Sequence, residues 1–156
     1  MNMKRRVFMK GSLAAGVIGV AIGAGLLTPR EVLAAWNKSA FEAKGVADAL
    51  KALLGSTETA ESSEITVKAP DIAENGAVVP VTVSSTLSGV TSISILADKN
   101  PTPLTSTYEL PEGTLPYIST RIKMAKTSHV IAVVKADGKL YSAKKEVKVT
   151  IGGCGG

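Results

Sequence analysis

The chain of 156 residues contains a single cysteine, Cys154, flanked by two pairs of glycines in Gly152-Gly153-Cys154-Gly155-Gly156. A thiol forms and exchanges S–S bonds, so it can hold a sulfur fragment covalently and hand it on. The glycines beside it have no side chain to pack and wide backbone freedom, and ordering each residue would cost on the order of 1–2 kcal/mol. The pentapeptide therefore predicts a flexible arm, residues 152–156, bearing one functional group. Ile151 is the last residue expected to anchor in the body. Three residues onward, at roughly 3.3–3.6 Å each, put the sulfur about 10 Å clear of it. Bare backbone is also thin enough to enter a narrow channel in another protein. Nothing nearby activates the thiol. A free cysteine titrates near ~8.5 unless a helix dipole or a cation lowers it. Here the terminal carboxylate is two residues away, and Lys144, Lys145 and Lys148 lie well upstream. Activation has to come from partners, which suits a carrier better than an enzyme.

Other chemistries find less support. There is one histidine, His129, beside Val130 and Ile131 in a strand-like run, and no G-x-S-x-G turn accompanies it. It reads as a satisfied or surface histidine. With one Cys and one His a structural zinc site of about four ligands is excluded, as are an internal disulfide and C-x-x-C redox chemistry. No phosphate-cradling loop is present, and no pair of carboxylates suggests acid–base catalysis. No bound cofactor or metal is expected. The rival reading of Cys154 is structural: a lone exported cysteine can join two copies of the chain in a disulfide-linked homodimer. Prenylation needs the cysteine fourth from the end, and Cys154 is third.

The positive charge belongs to the leader. Lys4, Arg5, Arg6, Lys10 and Arg30 all precede residue 35, with Glu31 the only acid there. Taking five from 18 basic residues and one from 13 acidic residues leaves 13 and 12, a charge near +1. No basic stripe interleaved with aromatics remains, so nucleic acid is not an expected partner. Arg5-Arg6-Val7-Phe8-Met9-Lys10 forms a twin-arginine export motif, with Lys4 where Ser or Thr is usual. An apolar run from Leu13 to Leu27 follows, shorter than the ~20 residues of a spanning helix. Val32-Leu33-Ala34 offers a cleavage site after Ala34. Residues 1–34 are thus expected to be a cleaved twin-arginine signal. The mature chain would be periplasmic and free of the membrane.

The remainder, residues 35–151, must position the arm. Ser39-Ala40-Phe41-Glu42 reads as a capping box, opening a helix whose apolar face is Val46, Ala49, Leu50, Leu53 and Leu54, with Gly55 closing it. From Ser63 the period becomes two. Ile65 and Val67 share a face, as do Val79, Val81 and Val83 after an Asn75-Gly76 turn. So do Ile93 and Ile95, alternating with Ser92 and Ser94, and Ile118, Thr120, Ile122 and Met124. Pro80 argues for an edge or a bulge. Residues 128–135 form an apolar strand, Asp137-Gly138 a two-residue hairpin turn. The last strand, about 140–151, should bury Val147, Val149 and Ile151. Asn100–Pro103 and Pro111–Gly113 read as loops. Six or seven short strands with turns between them predict a mostly β fold, an immunoglobulin-like antiparallel β-sandwich with an N-terminal helix and a flexible C-terminal tail.

These residues resemble the SoxY family of thiosulfate-oxidation (Sox) sulfur carriers. The resemblance rests on the twin-arginine leader, the helix from Phe41 to Leu54, Lys68-Ala69-Pro70-Asp71-Ile72-Ala73-Glu74-Asn75-Gly76, Ser119-Thr120-Arg121-Ile122-Lys123-Met124-Ala125 and, most specifically, the closing GGCGG. It implies that thiosulfate and persulfide sulfur ride on Cys154. It implies a heterodimer with a second sandwich subunit, SoxZ. It also implies transient visits to three enzymes: the haem enzyme SoxAX, the manganese-dependent hydrolase SoxB and, where present, a sulfane dehydrogenase. The chain itself would be a non-enzymatic carrier subunit.

Overall fold

The computed structural model describes residues 37–152. The export-signal reading of residues 1–34, with Arg5 and Arg6, and the tail residues Gly153, Cys154, Gly155 and Gly156 lie outside the described residues. Two helices come first: α1, Lys38–Glu42, and α2, Val46–Leu54. Nine strands follow: β1 Ala60–Glu61, β2 Ile65–Lys68, β3 Ile72–Ala73, β4 Val79–Ser85, β5 Val90–Ala97, β6 Leu104–Glu109, β7 Tyr117–Ile122, β8 Ser128–Ala136 and β9 Lys139–Val149. Among the described residues no helix is long and apolar enough to cross a membrane.

The strands make two facing sheets. One runs β2-β4-β7; the other runs β9-β8-β5-β6, with β1 and β3 both pairing along the outer edge of β9. All the longer pairings are antiparallel, as the alternation predicts, while the short β1 and β3 run parallel to β9. Those two short strands cover parts of an otherwise open edge, at Tyr141–Ser142 and Lys148–Val149. Pro80 sits within β4, the middle strand of its sheet, but beyond the end of β2: the β2–β4 register stops at Lys68 opposite Thr82, so Pro80 faces only Arg121 of β7. The sequence signal for an edge is satisfied locally.

Between the sheets Val79, Val81 and Val83 meet Ile93, Ile95, Val130, Ala132, Val134 and Val147, all at most 1% exposed. Each such aliphatic side chain stabilises the fold by about 1.5–3 kcal/mol. The outer face of the larger sheet is covered as well. There Leu96, Leu104 and Val133 pack under Ala40, Ala49 and Leu50 of the helices. Ser92 and Ser94, which alternate with the isoleucines, are consequently buried rather than solvated, and Ser94 Oγ shares a 3.0 Å hydrogen bond with Thr107 Oγ1.

The helical region differs from the single capped helix expected. Asn37, not Ser39, is the N-cap: its Oδ1 accepts from Ala40 N at 3.1 Å. Ser39 Oγ instead donates to Asn37 Oδ1 at 2.8 Å. The chain leaves the helix at Ala43, Gly45 is extended, and α2 restarts at Val46. The break lets Phe41, Ala43, Val46 and Leu53 all reach the same sheet face. Asn37 Nδ2 ties the two pieces together by donating to Ala52 O at 2.7 Å. Gly55 closes α2 in the left-handed region, its N–H donating to Lys51 O. Asp137 and Gly138 both have positive φ, 47° and 75°, the geometry of the hairpin turn that joins β8 to β9.

Candidate functional site

The site is the base of the tail, where the chain leaves β9. Two segments grip it, one mainly through its backbone and the other through a side-chain hydroxyl. On one side, Lys148 N donates to Asp71 O at 3.0 Å, Thr150 N to Ala73 O at 3.1 Å, and Gly76 N to Ile151 O at 2.7 Å. Thr150 Oγ1 adds a donation to Glu74 O at 2.8 Å. This is the Asp71–Gly76 segment, which runs parallel beside β9 and turns at Asn75, whose Oδ1 accepts from Ala77 N at 2.8 Å. On the other side, Val149 N donates to Thr127 Oγ1 at 2.9 Å, so a side chain prolongs the β8–β9 ladder beyond Ser128.

The two gripping segments are also joined to each other. Met124 N donates to Gly76 O at 2.7 Å. Asn100 then braces the 123–125 turn twice, Nδ2 donating to Lys123 O at 2.7 Å and Oδ1 accepting from Ala125 N at 2.8 Å. Gly152, the last described residue, lies against this turn: a Cβ there would run into the carbonyl oxygen of Ala125. Glycine at 152 is therefore required by a close backbone approach, a reason distinct from the conformational freedom inferred from sequence.

Ile151 corrects an expectation. Its side chain is 65% exposed and lies beyond the strand, which ends at Val149. It anchors by its carbonyl, which accepts from Gly76, and not by burial. Ile72, on the neighbouring segment, is likewise 59% exposed. The base of the tail is thus fixed by hydrogen bonds beneath an apolar surface.

The remaining candidate residues are placed as follows. His129 is held by Asp98: Nδ1 lies 3.2 Å from Asp98 Oδ2 and the His129 N–H donates to Asp98 Oδ1 at 2.9 Å. It is a satisfied histidine in β8, as its sequence context predicts. Lys144 pairs with Glu61 at 3.2 Å and Lys145 with Asp71 at 3.0 Å. Both are exposed pairs worth about 0–1 kcal/mol. Among the described residues no group of three or more His, Cys, Asp or Glu side chains gathers as a metal site would require. Sequence reasoning read the 68–76 and 119–125 stretches as a turn, a strand face and carriers of the resemblance. Their role in gripping the tail, and that of Asn100 and Thr127, was not anticipated.

Comparison with known proteins follows the same residues. The family described as "Sulfur oxidation protein SoxY" matches residues 50–154, a span that includes Cys154. Among solved structures, the sulfur carrier protein SoxY from Chlorobium limicola f thiosulfatophilum is 48% identical, covering 67% of this chain and 94% of that one with a TM-score of 0.61. A superoxide reductase (neelaredoxin) from Ignicoccus hospitalis is similar at 18% identity, covering 55% of this chain and 79% of that one with a TM-score of 0.49. No curated protein matches the chain.

Proposed function

The chain belongs to the SoxY family, with the sulfur-oxidation carrier role that the family has, and from that premise we propose that Cys154 is the covalent attachment point. The observation that carries the reading is the base of the tail. Residues 148–152 are gripped on both sides, and the chain's one thiol follows two residues later. A carrier needs this division: a body that fixes where the arm begins, and a thiol beyond it that partner enzymes can reach.

The chemistry fits the residue. In the loading step the Cys154 thiol loses its proton and forms an S–S bond with thiosulfate. Two electrons leave to an acceptor, the role we give to a haem enzyme of the SoxAX type. Hydrolysis by a SoxB-type enzyme then adds water across the S–SO3 bond, releasing sulfate and a proton and leaving a persulfide on Cys154. A sulfane dehydrogenase would oxidise the remaining outer sulfur. None of those steps requires a metal, cofactor or acid–base pair on this chain. The carrier works in the periplasm after twin-arginine export, in a heterodimer with a SoxZ-like sandwich.

Intact mass measurement after incubation with thiosulfate and the purified partner enzymes tests the proposal. Sulfur-containing adducts on the parent protein, absent from Cys154→Ser, are expected. A product consisting solely of reducible dimer would instead favour Cys154 as an interchain linker.

A further inference from the structure

A groove of about 390 Å³ opens between β6, at the end of one sheet, and β7, at the end of the other. Three properties distinguish it. It is cationic: Arg121 and Lys123 line it, no Asp or Glu does, and neither cation pairs with a carboxylate among the described residues. It is lined by Ser106, whose Oγ is buried and has no hydrogen-bond partner. Such an orphan costs about 1–3 kcal/mol, a cost that a ligand oxygen would remove once the wall shifts to admit it. It also adjoins the base of the tail. Asn100, on its wall, braces the turn that ends at Ala125, and Gly152 lies against the Ala125 carbonyl.

We propose that this groove is a subsite for a tetrahedral sulfur oxyanion, the –SO3− group. The guanidinium fork of Arg121 suits paired oxygens on one such group, Lys123 adds a point charge, and Ser106 and Thr120 are hydroxyl-bearing residues of the lining. The volume far exceeds what a single water requires. The other buried hydroxyl without a partner among the described residues, Ser128 Oγ, is not part of this groove's lining. The oxyanion has two sources. It can be free thiosulfate, or it can be the outer end of a fragment carried on Cys154, two residues or about 7 Å of chain beyond Gly152. The second source rests on the carrier reading; the first does not.

The test has two arms, both followed by amide chemical shifts in labelled protein. In the first, Cys154→Ser is titrated with thiosulfate at constant ionic strength, with chloride as the matched control. In the second, the unsubstituted protein is treated with tetrathionate. The Cys154 thiolate displaces thiosulfate from it and retains S–SO3−, and intact mass verifies the adduct. Shifts centred on Ser106 and on Thr120 to Lys123 are expected. In the first arm Arg121→Gln should weaken the response about tenfold, the scale of a charged hydrogen bond, and Ser106→Ala should weaken it less. Groove shifts in the first arm identify the free ion as ligand; shifts in the second arm alone identify the arm's own cargo. Either result supports the subsite. No groove shifts in either arm, or equal shifts with chloride, overturn it. The mass readout decides separately whether Cys154 accepts sulfur at all, so failure of the groove and failure of the carrier reading are distinguishable.

Discussion

The layer between the two sheets and the base of the tail are built by opposite means. The layer is held by side chains: Val81, Ile93, Ile95, Val130 and Val134 are at most 1% exposed and interdigitate across the gap. The base is held by main chain. Lys148, Val149, Thr150 and Ile151 are bonded through N–H and C=O groups to Asp71, Ala73, Gly76 and Thr127, while Ile151 and Ile72 leave their side chains in solvent. The first arrangement yields a body that resists opening. The second sets the position of a short stretch of backbone with few side chains, the Thr127 and Thr150 hydroxyls among them. A carrier gains from the separation, because changes in cargo need not disturb packing. The comparison predicts that lesions in the two regions separate stability from transfer.

The largest effect falls on the tail and not on the body. Cys154→Ser should abolish adduct formation altogether, while the melting temperature stays within error of the parent. The described core contains no residue beyond Val147 among its fully buried members, so loss of the thiol opens no cavity there. Intact mass and a thermal melt read the two halves. A clearly lower melting temperature would show that Cys154 also packs.

The converse lesion is Ile93→Ala, in a strand covered on both faces. Removing a fully buried isoleucine side chain should cost about 2–5 kcal/mol. Below the melting transition, adduct formation per folded molecule should be unchanged. Denaturant titration measures the first quantity and mass spectrometry the second. Loss of adduct in protein that is still folded would show that body and tail are coupled, which would break the comparison.

Gly152→Ala tests the boundary itself. Its methyl group would meet the Ala125 carbonyl, and overpacking of this kind costs about 1–3 kcal/mol unless the base of the tail gives way. Either the body loses stability or the exit point moves. In both cases turnover by partner enzymes should fall, while alkylation of Cys154 by a small reagent proceeds at the parental rate. Replacing Gly153 and Gly155 with Val should also slow turnover, with the reagent rate kept, because β-branched side chains stiffen and thicken the chain. The two substitutions differ in melting temperature: Gly152→Ala lowers it where the tail base holds its place, and the valine pair leaves it unchanged. Equal turnover in all three proteins would show that neither exit point nor thinness matters.

Half-exposed strands were the legible part of this fold. Val79, Val81 and Val83 in β4, and Ile118 and Ile122 in β7, alternate with polar residues because one face meets the core and the other water. The Asp137-Gly138 turn announces itself because both positions need positive φ. Legibility fails where that logic fails. Ser92 and Ser94 look solvated but are buried, so polarity misreports their burial. Strand β6, Leu-Thr-Ser-Thr-Tyr-Glu, has too few apolar residues to show a period. Cys154 was singled out from residue type alone, since one thiol among glycines has few structural uses. The grip on residues 148–152 had no sequence signal, because main-chain hydrogen bonds between segments far apart in the chain, such as Lys148 N to Asp71 O, leave no mark on residue type.

The smallest predicted effect is the sharpest test of the grip on the tail base. Thr127 Oγ1 accepts from Val149 N at 2.9 Å and lies 3.5 Å from Val149 O. It occupies the place where the next rung of the β8–β9 ladder would fall. Thr127→Val keeps the shape and the strand preference and removes the acceptor. The bond is exposed, so water can take its place, and the net cost should be about 0.5–1.5 kcal/mol. A global melt will barely register a change of that size. Local opening will, because the Val149 amide loses its only partner on that side while Asp71, Ala73 and Gly76 still hold the other side of the tail base. Amide hydrogen exchange at Val149 should therefore accelerate severalfold, with the amides of Ile93, Ile95 and Val134 unchanged. If the grip serves transfer, the same protein should show a higher KM with partner enzymes at nearly constant kcat, since the thiol's chemistry is intact but its starting point is less well defined. Faster exchange at Val149 with unaltered KM would mean that the fixed exit point belongs to the fold and has no part in presenting the sulfur.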